Sequence, residues 1–328
     1  MELSGAKHAG EGAMLSTFQA TLSPMLVLFL CMLVGFVLNK RKLCPANTAT
    51  VLFKLENNVL IPALALNTFM KYCTIASLAE QYRRVLYCAL AVALAIALSY
   101  PLARLFEKTG YKKNVYRYAM TFGNFGFMGN AIVPAILGSE ALYGYMLFTL
   151  PLNVAAYTWG VANLISRKNR PSGKRALGNL FNPAMAGIAL GALLGLTGAE
   201  AYIPAFITTA LGSLAACMGP LAMVLTGFVI GDYDIAALIR NNKVYAATAL
   251  RLLVLPALFL ALLRLLGASQ QALAYALFAF ATPLGLNTVV FPAAYGGDTS
   301  TGASMAMISH TLCILTIPLM YALLTMIA

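Results

Sequence analysis

Thr121-Phe122-Gly123-Asn124-Phe125-Gly126-Phe127-Met128-Gly129-Asn130-Ala131 sets three glycines and two asparagines inside an apolar run. Each glycine costs about 1 kcal/mol of helix propensity relative to alanine. A second segment, Ala281-Thr282-Pro283-Leu284-Gly285-Leu286-Asn287-Thr288, adds a proline, worth about 3 kcal/mol against a helix interior. Broken backbone at membrane depth survives only where protein or a wet cavity satisfies its polar groups. Two such breaks point to a midplane site, where half-helix N-termini face an anionic group and amide side chains orient it. Close packing through small residues explains the glycines, but not Asn130 and Asn287.

The setting of these segments is a membrane. Of 328 residues, 61% are hydrophobic and 10% charged, against about 45–50% and about 25% in a soluble domain. So few charges cannot cover a water-soluble surface, and a disordered chain shows the opposite bias. Runs of roughly 20 apolar residues, enough to cross the hydrocarbon core, are expected near 18–39, 46–70, 83–105, 115–137, 141–165, 183–199, 204–230, 241–266, 271–294 and 303–327. The expected fold is an all-α polytopic membrane protein of ten transmembrane helices, with the fourth and ninth broken. The remainder is too short for a soluble domain. The first run lacks a convincing cleavage site and is followed by Lys40-Arg41-Lys42, so it reads as a retained helix.

Lys and Arg number 22 against 10 Asp and Glu, a net charge of +12. In a soluble protein this excess would suggest a nucleic-acid partner. Here fifteen of the basic residues fall in or beside the loops after the first, third, fifth and seventh runs, and five on the opposite side. That bias places both termini outside the cytoplasm. The excess is a topology signal, and no nucleic-acid partner is expected. Arg167-Lys168-Asn169-Arg170 reads as a solvated connector touching anionic lipid.

One offset recurs along the chain. Pro134-Ala135-Ile136-Leu137-Gly138-Ser139-Glu140 and Pro292-Ala293-Ala294-Tyr295-Gly296-Gly297-Asp298 share Pro-Ala-x-x-Gly-x-acid at a separation of 158, and Pro62 and Pro220 are the same distance apart. Five runs per half make such repeats inverted. The expected organisation is a first five-helix repeat over 1–166, a basic cytoplasmic connector over 167–182, and a second repeat over 183–328.

At these residues the chain resembles the auxin efflux carrier family, its bacterial members most. Gly123-Asn124-Phe125-Gly126-Phe127-Met128-Gly129 followed by Gly138 is similar to the family's fourth-helix signature. Pro283, Asn287, Tyr295-Gly296 and Asp298, continuing to Ser309 and Leu315-Thr316-Ile317-Pro318, match its second half; Pro62-Ala63-Leu64, Leu211-Gly212 and Pro220 also fit. Two departures stand out: Ala131 occupies a position where the family usually has proline, and Thr288 the plant carriers' crossover proline.

The resemblance implies a scaffold of helices 1, 2, 6 and 7, and a moving core of helices 3–5 and 8–10 in which the fourth and ninth cross. It implies substrate binding at that crossing, elevator-like movement and a homodimer in the cytoplasmic membrane of a bacterium. By position, the substrate contacts are Asn124, Gly129, Asn130, Asn287 and Thr288, with Asn153 from the fifth helix. The backbone breaks are expected at Gly126, Pro134, Pro283, Gly285 and Pro292.

Ionisable residues at membrane depth are functional candidates by default. Glu56 lies ten residues into the second run, about 15 Å from its start at 1.5 Å per residue. It reads either as a proton-coupling carboxylate or as a static pair or wetted scaffold group. Arg251 either supplies positive charge for an anionic substrate or neutralises Glu56 across the core–scaffold interface. His310, beside Ser309, relays protons or is a hydrogen-bonded structural histidine. Lys54 can snorkel to the surface. The six cysteines have no metal-ligand spacing and read as small buried thiols.

No catalytic or nucleotide-binding motif occurs, so no enzyme, cofactor or metal is expected and active transport would be driven by gradients. The expected function is a secondary transporter of a small organic anion, a carboxylate by the chemistry of the breaks, coupled to H+ or Na+ or passive. The alternatives are a sodium-coupled carrier of the bile-acid symporter kind and a non-transporting membrane sensor of a lipid or metabolite. The sensor is disfavoured because Leu323-Leu324-Thr325-Met326-Ile327-Ala328 ends at the last run, with no signalling domain expected beyond it.

Overall fold

A computed structural model describes residues 2–165, 182–295 and 297–327, and among them every regular element is helical. The first half holds α1 (Glu2–Lys40), α2 (Thr48–Tyr72), α3 (Ile75–Phe106), α4 (Gly110–Thr121), α5 (Asn130–Leu137), α6 (Ser139–Phe148) and α7 (Leu150–Ala155). The second holds α8 (Pro183–Thr197), α9 (Ala205–Gly231), α10 (Ile235–Ile239), α11 (Asn242–Leu265), α12 (Gln270–Phe280), α13 (Asn287–Tyr295) and α14 (Ser300–Met326). Wider π turns interrupt α2 at Glu56–Leu60 and α11 at Leu250–Val254; others lead into α5 at Phe125–Gly129 and extend α7 at Ala156–Gly160.

Among the described residues, seven helices are long and apolar enough to cross a membrane. They are α1 from Gly12, α2, α3, the α4–α5 stretch Gly110–Leu137, α9, α11 and α14. The other three expected runs are helical but short or interrupted. α8 is apolar over 15 residues, α6 and α7 are separate helices, and α12 and α13 are parted by the second break. The 167–182 connector lies outside the described residues except for Asn182.

Local chemistry explains several boundaries. α3 starts at Ile75, ahead of the apolar run expected from 83, because Thr74 and Ser77 form a reciprocal capping box. Asn182 caps α8 by accepting from the Met185 N–H at 3.0 Å, with Pro183 at the first helical position. Between α5 and α6 the chain turns at Gly138, whose φ of +89° suits a residue without a side chain.

Small residues bring backbones together where lipid supplies no hydrophobic drive between helices. Gly187, Gly191 and Gly195, four apart and so on one face of α8, lie on α2. A Cβ at Gly191 would stand 2.7 Å from the Leu66 carbonyl oxygen, and one at Gly195 2.7 Å from that of Cys73. α1 and α9 pack the same way, through Gly35 on Val224 and Gly227 on Met32. With α2 against α9, these contacts join α1, α2, α8 and α9 into one group. α3 packs on α4, α6 and α7, while α14 packs on α11 and α12. α1 also runs along α14, joining the two groups.

All six cysteines are free; Cys73, Cys88 and Cys313 are buried, whereas Cys217 is exposed, against the expectation of burial.

Candidate functional site

The two breaks touch. α4 leaves helical geometry at Phe122, and the chain is extended or bent until the π turn begins at Phe125. α12 ends at Phe280 and α13 begins at Asn287. Between them the Asn124 N–H donates to the Pro283 carbonyl at 2.7 Å. The Leu284 N–H donates to Ser309 Oγ at 2.9 Å. Freed backbone groups thus bond to the opposite break and to α14, the condition that lets non-helical backbone persist at this depth. Pro134 and Pro292, expected among the breaks, instead lie inside α5 and α13, and Gly126 lies in the π turn. The backbone leaves the helix where it finds these cross-contacts, so only Pro283 and Gly285 of the expected set fall in a break.

A cavity of about 350 Å³ opens at this crossing. Asn124, Asn130, Asn153 and Asn287 line it together, with Gly126 and Gly285, joined by Asn57 of α2 and Asn182 at the start of α8. Three helix starts face it: the π turn at Phe125, α13 at Asn287 and α8 at Pro183. The positive dipole ends of these starts favour an anion. Among the described residues, none lining it carries a formal charge. Thr288 and Gly129 are not in its wall. Thr288 is buried, its hydroxyl donating to the Gly285 carbonyl at 3.1 Å, and Gly129 lies against the Tyr145 hydroxyl.

Each asparagine is held differently. Asn287 Nδ2 donates to the Tyr118 hydroxyl at 3.0 Å, and Asn153 Nδ2 to the Thr149 carbonyl at 3.2 Å. Asn124 Nδ2 lies 3.2 Å from His310 Nε2, while His310 Nδ1 lies 2.7 Å from the Ala306 carbonyl. That carbonyl requires a proton on Nδ1, which leaves Nε2 of the neutral ring to accept from Asn124. His310 is buried, with its ring placed to hold the Asn124 amide. Asn130 is 6% exposed, and its amide makes no hydrogen bond among the described residues.

Arg251 sits directly behind the cavity. Nη1 donates to the Ala119 carbonyl in the last turn of α4 at 2.7 Å, and Nη2 to the Thr282 carbonyl just past α12 at 2.9 Å. It therefore joins the carbonyl ends of both first half-helices, where a cation is favoured by their dipoles. Gly123, which lines the cavity, is the cradle: a Cβ there would overlap Nη2.

The alternative in which Arg251 neutralises Glu56 is not found. Arg251 is turned to the crossing, and both Glu56 carboxyl oxygens are buried without a partner. The π turn carrying Glu56 packs against α8 and α9, which contain no Asp, Glu, Lys, Arg or His. Among the described residues, Glu56 makes no ion pair.

Sequence reasoning missed Tyr145, whose hydroxyl proton is shared between the carbonyls of Phe125 at 3.0 Å and Phe278 at 3.3 Å, tying the first break and the last turn of α12 to α6. It missed Tyr118 as well, since a tyrosine in an apolar run carries no positional signal. Asn182-Pro183 was a readable helix start, and only packing carries it to the cavity.

A family model described as membrane transport protein matches the chain twice, over residues 20–176 and 171–321. No curated protein matches it.

Proposed function

The chain belongs to this family of membrane transport proteins, of the auxin efflux carrier type, and on that premise we propose that it is a secondary carrier of a small organic anion. The observation that carries the anion assignment is Arg251: a buried guanidinium, bonded only to carbonyls among the described residues, behind the glycine that lines the cavity. With no carboxylate to offset it, its positive field adds to three helix starts at a cavity lined by amides. A carboxylate is the fitting cargo. Asn124, Asn130, Asn153 and Asn287 orient it by hydrogen bonds.

The transport model is ten transmembrane helices in two inverted five-helix repeats. The tandem family match supports it, as does the reciprocity of packing, in which α1 lies on α9 as α8 lies on α2. In this reading α1, α2, α8 and α9 are the scaffold, and the remaining helices are a core that shifts past it, elevator fashion, in a homodimer of the cytoplasmic membrane with both termini outside. Uptake of small carboxylic acids into proteoliposomes tests the assignment, with sodium gradient, proton gradient or neither. Asn130→Ala and Asn287→Ala are expected to lower uptake at least about tenfold, the worth of one good hydrogen bond, in proteins that still unfold cooperatively. Unchanged uptake in both variants rejects the site.

A further inference from the structure

Beyond the crossing lies a second cavity, about 650 Å³, bounded by α1, α2, α5 and α9. α2 reaches both cavities: Asn57 lines the first, and Asn67, Thr68 and Lys71 line the second. Asn57 and Asn67 are about 15 Å apart along the helix at 1.5 Å per residue, so the cavities lie toward opposite ends of α2. They share one lining residue, Asn130. Next to it α5 and α9 approach closely at the second cavity, for a Cβ at Gly219 of α9 would stand 2.7 Å from the Cβ of Ala131.

The second cavity collects polar groups that nothing in the described residues satisfies. Asn67 Oδ1 is buried without a hydrogen bond, an acceptor that a donor and not a carboxylate would satisfy. The Asn130 amide is likewise unpartnered. Lys71, four residues after Asn67 and so on the same face of α2, makes no ion pair or hydrogen bond, and it is the one formally charged residue of this lining. A lysine that merely snorkels from the end of α2 would explain Lys71, but not the free amide of Asn130.

We propose that this cavity is an anion-concentrating vestibule, in which Lys71 supplies the charge and the Asn130 amide offers a hydrogen bond to a carboxylate. It rests on the reading of the chain as an organic-anion carrier. An anion passing Asn130 from the central cavity, whose lining is uncharged among the described residues, meets in Lys71 an exposed cation. The site binds through helix ends and amides, the vestibule through a single ammonium, so the two differ in selectivity.

The test uses a cysteine-free background carrying Ser23→Cys, a reporter on α1 that lines the vestibule and leaves its polar groups intact. Membrane-impermeant thiol reagents, one anionic sulfonate and one cationic trimethylammonium, are applied to either face, each rate normalised to that with a free thiol. The anionic reagent is expected to be preferred about threefold or more, the scale of one nearby partly screened charge, and from the non-cytoplasmic face alone. Lys71→Gln should abolish the preference and Lys71→Arg preserve it. No preference, a preference that survives Lys71→Gln, or labelling from the cytoplasmic face overturns the proposal. A protein that takes up organic acids yet shows no preference loses the vestibule and keeps the central site. One that shows the preference and takes up no acid loses the reading beneath it.

Discussion

Gly123 and Arg251 are understood only as a pair. The guanidinium needs a position without a side chain to reach the Ala119 and Thr282 carbonyls, and those carbonyls need a cation because their half-helices end there. Gly123→Ala is expected to displace Arg251 and destabilise the protein by about 1–3 kcal/mol, the usual cost of overpacking. Thermal unfolding in detergent reads this directly. Arg251→Met leaves buried carbonyls unpaired, a loss of about 2–4 kcal/mol, and should also remove anion uptake; Arg251→Lys should regain part of the stability. If Arg251→Met transports organic acids normally, the charge behind the cavity is not what selects them. His310 works through Asn124, so His310→Ala should weaken substrate binding about tenfold, one hydrogen bond's worth, without changing which acids are preferred. An altered preference would show that the ring touches the substrate.

The broken helices and the glycine-faced helix carry opposite uses of small residues. In the breaks, glycine makes room for a side chain from another helix: a Cβ on Gly123 would overlap the Arg251 guanidinium. On α8 the stripe of Gly187, Gly191 and Gly195 keeps a regular helix and instead lets α2 lie directly on it. Gly191→Leu is therefore expected to separate α2 from α8 and lower stability by about 2 kcal/mol or more, visible as a lower unfolding temperature. An unshifted midpoint would mean that the α2–α8 contact contributes little. The sequence made the breaks visible, because Gly, Asn and Pro inside apolar runs have few other uses. It misplaced their edges at Pro134 and Pro292. A proline disfavours a helix locally, whereas the observed exits are set by contacts from Asn124 to Pro283 and from Leu284 to Ser309, which join residues far apart in the chain.

At the scale of the whole molecule, the packing is not symmetric between halves. α1 runs along α14, but among the described residues α8 has no comparable contact with α7, and the central cavity lies between the start of α8 and that helix. Movement of the proposed core past the scaffold would exchange these relations. Ala131→Cys with Gly219→Cys, placed where the two groups nearly touch, should form an oxidised cross-link in a cysteine-free background and stop uptake reversibly. Uptake at an undiminished rate in the cross-linked protein would rule out that movement.

What the sequence determined by itself follows from solvent and local conformation. Apolar content and run length require helices in a bilayer, and clustered glycine, asparagine and proline mark the two breaks. Only the tertiary structure decided what those residues face. Asn57, Asn130, Asn153 and Asn287 share a cavity, Thr288 is turned away from it, and Glu56 and Arg251 never meet. The reason is physical: a break fixes where the chain leaves a helix, but the partner of each freed group comes from other helices, through contacts that no local spacing encodes.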